Sequence, residues 1–139
     1  MQTNSNEGDI QAPAPRNVLV VDDHPINRML IQAMLNKSRY VVATAEGGAQ
    51  ALELILSGYP ADALLMDVHM PEMDGYTATR AIRRWEQVHG TPRLPIIALT
   101  ADVFDASREK VLQHGMDDLL VKPLTREALQ AALLRWLPI

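Results

Sequence analysis

Apolar and polar residues are arranged along this chain in blocks of two kinds. Val18-Leu19-Val20-Val21 is a short continuous apolar run ending at Asp22, the pattern of a strand covered on both faces. Similar runs occupy residues 40–44, 63–66, 94–99 and 116–121. Between them, apolar residues recur at helical spacing. Pro25 suits the first turn of a helix, and Ile26, Met29, Leu30, Ala33 and Met34 follow the i, i+3, i+4, i+7, i+8 rule, which predicts one buried helix face. Further helices are predicted over about residues 46–57, 74–88, 102–114 and 125–137, the last with a stripe of Ala128, Leu129, Ala132, Leu133 and Trp136. Five strand–helix pairs of this length predict a doubly wound α/β fold, with a parallel five-stranded sheet, right-handed crossovers and helices on both faces.

Composition narrows the picture. Residues 1–16 are polar, with Pro13 and Pro15, and are expected to form a flexible tail or interdomain linker ahead of a single domain over 17–139. No apolar run approaches the roughly 20 residues that span a bilayer. Thirteen basic against seventeen acidic residues, net charge −4, and no Lys/Arg block speak against direct nucleic-acid binding. The absence of cysteine removes disulfide scaffolds, zinc-thiolate sites and thiol nucleophiles, and a cytoplasmic, monomeric protein is expected.

In a doubly wound sheet, ligands sit at the carboxyl ends of the strands. The polar residues there are Asp22-Asp23, Asp67, Thr100 and Lys122-Pro123. Taken singly, several have an ordinary explanation: Asp23, Thr100 or Asp102, and Asp74 could each cap the helix that follows. Taken together, three carboxylates at two strand ends repel one another unless a cation compensates or a proton is retained. Oxygen ligands without thiolates or a histidine pair at ligand spacing suit Mg²⁺ or a similar hard cation, completed by a phosphate oxygen. Asp67 is then the candidate nucleophile toward phosphorus, with Lys122 pairing one phosphoryl oxygen and the Thr100 hydroxyl donating to another.

The same residues carry a resemblance. Val20-Val21-Asp22-Asp23, the stretch from Asp67-Val68-His69-Met70-Pro71 to Glu72-Met73-Asp74-Gly75, Leu99-Thr100-Ala101 and Lys122-Pro123 occur in the order found in response regulator receiver domains. The resemblance runs from Asn17 to about Leu137 and implies a CheY-like, flavodoxin-like fold with strand order 2-1-3-4-5. It implies that Asp67 is the phosphoacceptor, that Asp22, Asp23, Asp67 and the His69 backbone carbonyl hold Mg²⁺, and that Thr100 and Lys122 bind the phosphoryl group. It also implies a cis Lys122-Pro123 peptide. The wording Asp23-His24-Pro25-Ile26-Asn27-Arg28 and Ile97-Ala98-Leu99-Thr100-Ala101-Asp102 is similar to receivers of hybrid sensor histidine kinases, which fits a chain with no output domain expected after Leu137.

Where many receivers place an aromatic switch residue, three positions before the lysine, this chain has Leu119. A large switch through the fifth strand is therefore less expected than simple onward transfer. By resemblance, phosphoryl arrives from the phosphohistidine of a histidine kinase and passes to a histidine phosphotransfer domain. Residues 26–33 are expected to be mostly core, with any exposed members as docking candidates. His69 and Asp102 occupy positions that tune phosphoryl lifetime in the family. His89 and His114 lie near predicted helix ends, a favourable place for a partial cation, and Met29, Met34, Met66, Met70 and Met73 are expected to be packing residues. The competing readings are a flavin-mononucleotide carrier of the same topology, a Mg²⁺-dependent phosphatase, a receiver acting only as an interaction module, and a free-standing single-domain response regulator. The first is disfavoured by the Asp22-Asp23-His24-Pro25 loop, whose carboxylates repel phosphate and whose proline lacks an N–H; the second by His69, where such phosphatases usually place a second aspartate. The complete acidic, threonine and lysine set counts against the third.

Overall fold

A computed structural model describes residues 14–102 and 107–138 of the chain. Most of the expected tail, and the start expected for the fourth helix, lie outside the described residues. Five strands, β1 (Arg16–Val21), β2 (Tyr40–Ala45), β3 (Ala63–Asp67), β4 (Ile96–Thr100) and β5 (Asp118–Val121), alternate with α1 (Pro25–Met34), α2 (Gly48–Leu56), α3 (Gly75–His89), α4 (Arg108–Gln113) and α5 (Arg126–Trp136). The strands form one parallel sheet in the order β2-β1-β3-β4-β5, the 2-1-3-4-5 order of the expected fold. Among the described residues, no helix is long and apolar enough to cross a membrane.

Side-chain alternation along the strands splits the core in two. Leu19, Val21, Leu64, Met66, Ile96 and Ala98 pack on one face with Ala51 and Ile55 of α2 and Ala78 and Ile82 of α3. Val18, Val20, Leu65, Ile97 and Leu99 pack on the other with Ile31 of α1 and Leu129, Ala132 and Leu133 of α5. Coverage of both faces is why the strands read as continuous apolar runs.

The first helix corrects the sequence expectation. Ile26, Met29 and Leu30 are 64%, 63% and 51% exposed, Ala33 is exposed, and Ile31 is the fully buried member of α1. Two apolar stripes coexist on this helix, and the one through Ile31 and Leu35 meets the sheet. Met29 is accordingly a surface residue, whereas Met66 and Met70 are buried and Met34 and Met73 are partly buried against the core.

The helix caps decide which strand-end residues stay available for chemistry. Asp74 caps α3 as expected, accepting the Thr77 N–H at 2.7 Å. Asp23 caps nothing: the N-cap of α1 is His24, without a side-chain cap. Thr100 and Asp102 do not cap α4, whose N-cap is Ser107.

Candidate functional site

Sheet register gathers the polar residues on one edge. Val21 pairs with Met66, and Met66 with Ala98, so Asp22 and Asp67 follow at the same level. Thr100 pairs with Val121, placing Lys122 immediately beyond it. The Lys122-Pro123 peptide is cis, as the resemblance implied.

Asp22 is fully buried and held from several sides. Its Oδ1 accepts the His24 N–H at 2.9 Å, its Oδ2 accepts Lys122 Nζ at 3.0 Å, and Asn27 Nδ2 lies 3.3 Å from Oδ2. Arg28 Nη1 donates to the Asp22 carbonyl at 2.7 Å. Asp67 is 5% exposed; its Oδ1 accepts the His69 N–H at 3.3 Å and its Oδ2 lies 3.5 Å from Lys122 Nζ. Burial pushes the Asp67 carboxyl above its ordinary range; Lys122 opposes this, Asp22 adds to it, the His69 N–H opposes it and Asp23 adds to it.

Asp22, Asp23, His24 and Asp67 each present one possible ligand atom, all within 4.8 Å of one another. Asp23 Oδ1 is buried and accepts no hydrogen bond among the described residues, though His24 Nδ1 lies 3.2 Å from it. Asp22 and Asp67 share the Lys122 ammonium, and with Asp23 beside them the three carboxylates fit a divalent cation with hard oxygen ligands. Asp22 is engaged by Lys122, Asn27 and a backbone N–H, whereas Asp23 Oδ1 has only the ion-pair contact of the exposed His24 ring among the described residues.

The Thr100 hydroxyl is buried and accepts the Asp102 N–H at 3.0 Å, which leaves its proton free to donate. His69 and Asp102, contributed by different loops, meet with Nε2 and Oδ2 3.6 Å apart. Leu119 is partly buried against the α2–α3 side of the core. Of the remaining histidines, His89 stacks on Trp85, and His114 stacks on Tyr76 with its Nδ1 3.0 Å from Arg80 Nη1. Both rings pack at helix ends, as structural histidines are expected to.

Gly75 is a steric requirement of this site. A Cβ there would stand 2.3 Å from the Asp67 carbonyl oxygen and 2.9 Å from Met66 Cγ, because α3 starts directly against the end of β3. Gly75→Ala is expected to displace the Asp67 end of β3 and cost about 3 kcal/mol, read as a lower urea midpoint.

Sequence reasoning missed His24, Asn27 and Arg28 as parts of the site. The signal was their place in the first turn after Asp22-Asp23, where a helix start returns its side chains toward the strand end.

Residues 18–134 match the response regulator receiver domain family, and the chain belongs to it. The sensor histidine kinase GacS of Pseudomonas protegens is 45% identical over 131 residues, 94% of this chain and 14% of that protein. The sensor histidine kinase RcsC of Salmonella typhi is 41% identical over 116 residues, 84% of this chain and 12% of that protein. The chain thus spans a small part of these relatives' lengths. Among solved structures, the receiver domain of sensor histidine kinase PA1611 from Pseudomonas aeruginosa, with a magnesium ion coordinated in its active-site cleft, matches at 44% identity and TM-score 0.75, covering 88% of this chain and 98% of that one. A co-crystal of the Saccharomyces cerevisiae histidine phosphotransfer protein Ypd1 and the receiver domain of its downstream response regulator Ssk1 matches at 28% identity and TM-score 0.81, covering 91% of each chain.

Proposed function

We propose that this receiver is a phosphorelay intermediate: Asp67 accepts a phosphoryl group from a phosphohistidine and passes it to a histidine phosphotransfer partner. The observation that carries the reading is the convergence of Asp67, Asp22 and Lys122 within 3.5 Å contacts on one sheet edge, with Asp23 in the same carboxylate cluster. An Asp67 carboxylate oxygen attacks phosphorus, the P–N bond to the donor imidazole breaks, and that imidazole leaves with the bonding pair. Lys122 and the Thr100 hydroxyl are placed to hold the phosphoryl oxygens. Asp22, Asp23, Asp67 and the His69 carbonyl would hold Mg²⁺, which when bound neutralises charge between the carboxylates and the incoming phosphoryl group. The 2-1-3-4-5 receiver fold, relatives among sensor histidine kinases and the PA1611 neighbour support both the assignment and its setting as a segment of a longer kinase.

The corrected first helix supplies the docking surface. Ile26, Met29 and Leu30 are exposed on α1, and Leu30 lines a groove of about 140 Å³ with Ile31, Met34, Lys122, Pro123 and Leu124. An apolar helix face adjoining the phosphoacceptor suits a helical partner that presents its histidine to Asp67, and the Ypd1–Ssk1 neighbour fits such a partner. The double variant Ile26→Glu/Met29→Glu is expected to slow transfer from a phosphorylated histidine phosphotransfer domain by at least about tenfold, the equivalent of about 1.4 kcal/mol of lost docking energy. Uptake from a small-molecule phosphodonor should be unchanged. Equal loss with both donors would contradict the docking assignment.

His69 and Asp102 bridge two loops beside Asp67, where water must approach to hydrolyse the aspartyl phosphate. Replacing both with alanine is expected to change the decay rate of phospho-Asp67 several-fold. An unchanged rate would remove them from this role.

A further inference from the structure

We propose that the open edge of β2 is a self-association surface, which pairs antiparallel with β2 of a second copy of this chain and continues the sheet across a two-fold axis. The two edges of the sheet differ in their protection. At one edge, β5 is four residues long, carries the inward-pointing charge of Asp118 tied to Arg108 and Arg135, and runs into Lys122-Pro123. Short length, inward charge and a nearby proline are devices that keep an edge from pairing. At the other edge, β2 has none of them. Its six residues, Tyr40–Ala45, hold no charge and no proline, and they keep unbroken register with β1 from Arg16↔Tyr40 to Val21↔Ala45. Val41 is 51% exposed there.

The backbone is set for such pairing. The Arg16 N–H donates to the Arg39 carbonyl at 2.9 Å and the Asp22 N–H to the Ala45 carbonyl at 3.2 Å, so the odd-numbered residues of β2 face β1. Alternation along the strand turns the N–H and C=O groups of Val42 and Thr44 to the open edge. A groove of about 520 Å³, lined by Met29, Gln32, Ala33, Lys37, Tyr40 and Val42, lies between α1 and this edge and leaves room for the side chains of an added strand. Charge selects a second, antiparallel copy as the occupant. Arg39 precedes β2 and Glu46 follows it; both are exposed, and neither side chain is ion-paired among the described residues. An antiparallel copy brings Arg39 beside Glu46 of the other copy at both ends of the pair, the self-complementary arrangement of a two-fold interface, whereas a parallel copy sets like charges together. Because the axis reverses strand direction, the two Asp67 sites face opposite ways and both stay open.

Sedimentation velocity of the full chain from about 10 μM to about 1 mM, the range of weak association, tests this. The expected result is a reversible shift from the mass of one chain to that of two, with the amide resonances of Val42 and Thr44 moving over the same range. Val41→Lys, which puts a charge on the edge, and Glu46→Lys, which sets like charges together, should each weaken the pair at least about tenfold, while circular dichroism and the thermal midpoint report intact folds. The double variant Arg39→Glu/Glu46→Lys reverses both charges and should restore pairing to near the wild-type constant. A chain that stays monomeric to about 1 mM would overturn the proposal. So would a dimer indifferent to Val41→Lys and Glu46→Lys, which puts the contact elsewhere, or a double variant that does not recover, which excludes the antiparallel pairing.

Discussion

Asp118→Ala is expected to cost about 3 kcal/mol or more of folding stability and to lower the thermal midpoint by about 10 °C. Asp118 opens β5, is fully buried, and ties three elements together. Its Oδ1 accepts Arg108 Nη1 from α4 at 2.7 Å and the Leu119 N–H at 2.8 Å. Its Oδ2 accepts the Trp136 indole N–H at 2.8 Å and Arg135 Nη1, both from α5. Alanine leaves the Trp136 and Leu119 donors without this acceptor in a place water does not reach, and such deletions cost more than the net value of a hydrogen bond.

The loss carries a pH signature. Burial pushes the Asp118 carboxyl upward, but hydrogen bonds from Trp136, the Leu119 backbone, Arg108 and Arg135 outweigh it and hold the group below its ordinary range. A depressed carboxyl contributes stability that is fully present above its unfolded-state value, near 4, and is lost as pH falls through its folded-state value. In urea titrations, the wild-type advantage over Asp118→Ala should stay constant from pH 7 to about 5 and shrink only in the acid limb. An advantage that grows on acidification would contradict the assignment.

Asp67→Asn is expected to have opposite effects on function and stability. Phosphoryl uptake should vanish, because the amide is not a nucleophile toward phosphorus. The cation-free protein should become more stable at neutral pH. Burial, with Asp22 and Asp23 adding to it, holds the Asp67 carboxyl above its ordinary range despite Lys122 and the His69 N–H. A raised carboxyl binds its proton more tightly when folded, so ionising it costs stability: nothing is lost below the unfolded-state value, and the full cost applies above the folded-state value. The thermal midpoint of Asp67→Asn should exceed that of the wild type at pH 7 without Mg²⁺, and the difference should close toward pH 4. Added Mg²⁺ should stabilise the wild type more than the variant, since the variant lacks one carboxylate ligand.

Strand positions and topology were legible because burial on both faces forces continuous apolar runs, and the site was legible because its members are the polar residues at the ends of those runs. Asp22, Asp67, Thr100 and Lys122 fell into place for that reason. Helix phase was less legible. Two apolar stripes run along α1, and spacing alone does not say which faces the sheet; the face of Ile26, Met29 and Leu30 therefore reads as core in the sequence and is exposed in the structure. The ordinary capping alternative for Asp23 does not apply, since the N-cap of α1 is His24. Asp118 and the Arg83 cluster were illegible for another reason: their partners are distant in sequence. Arg83 binds Glu86, Asp117 and the Leu94 and Gly115 carbonyls, contacts that only the tertiary fold assembles.

The most direct measurement is intact mass after incubation with a small-molecule phosphodonor, with and without Mg²⁺, for the wild type and Asp67→Asn. The wild type should gain the mass of one phosphoryl group only when Mg²⁺ is present, and Asp67→Asn should gain none. A folded wild type that gains no mass, or an Asp67→Asn variant that gains as much as the wild type, would contradict the assignment of Asp67 as phosphoacceptor.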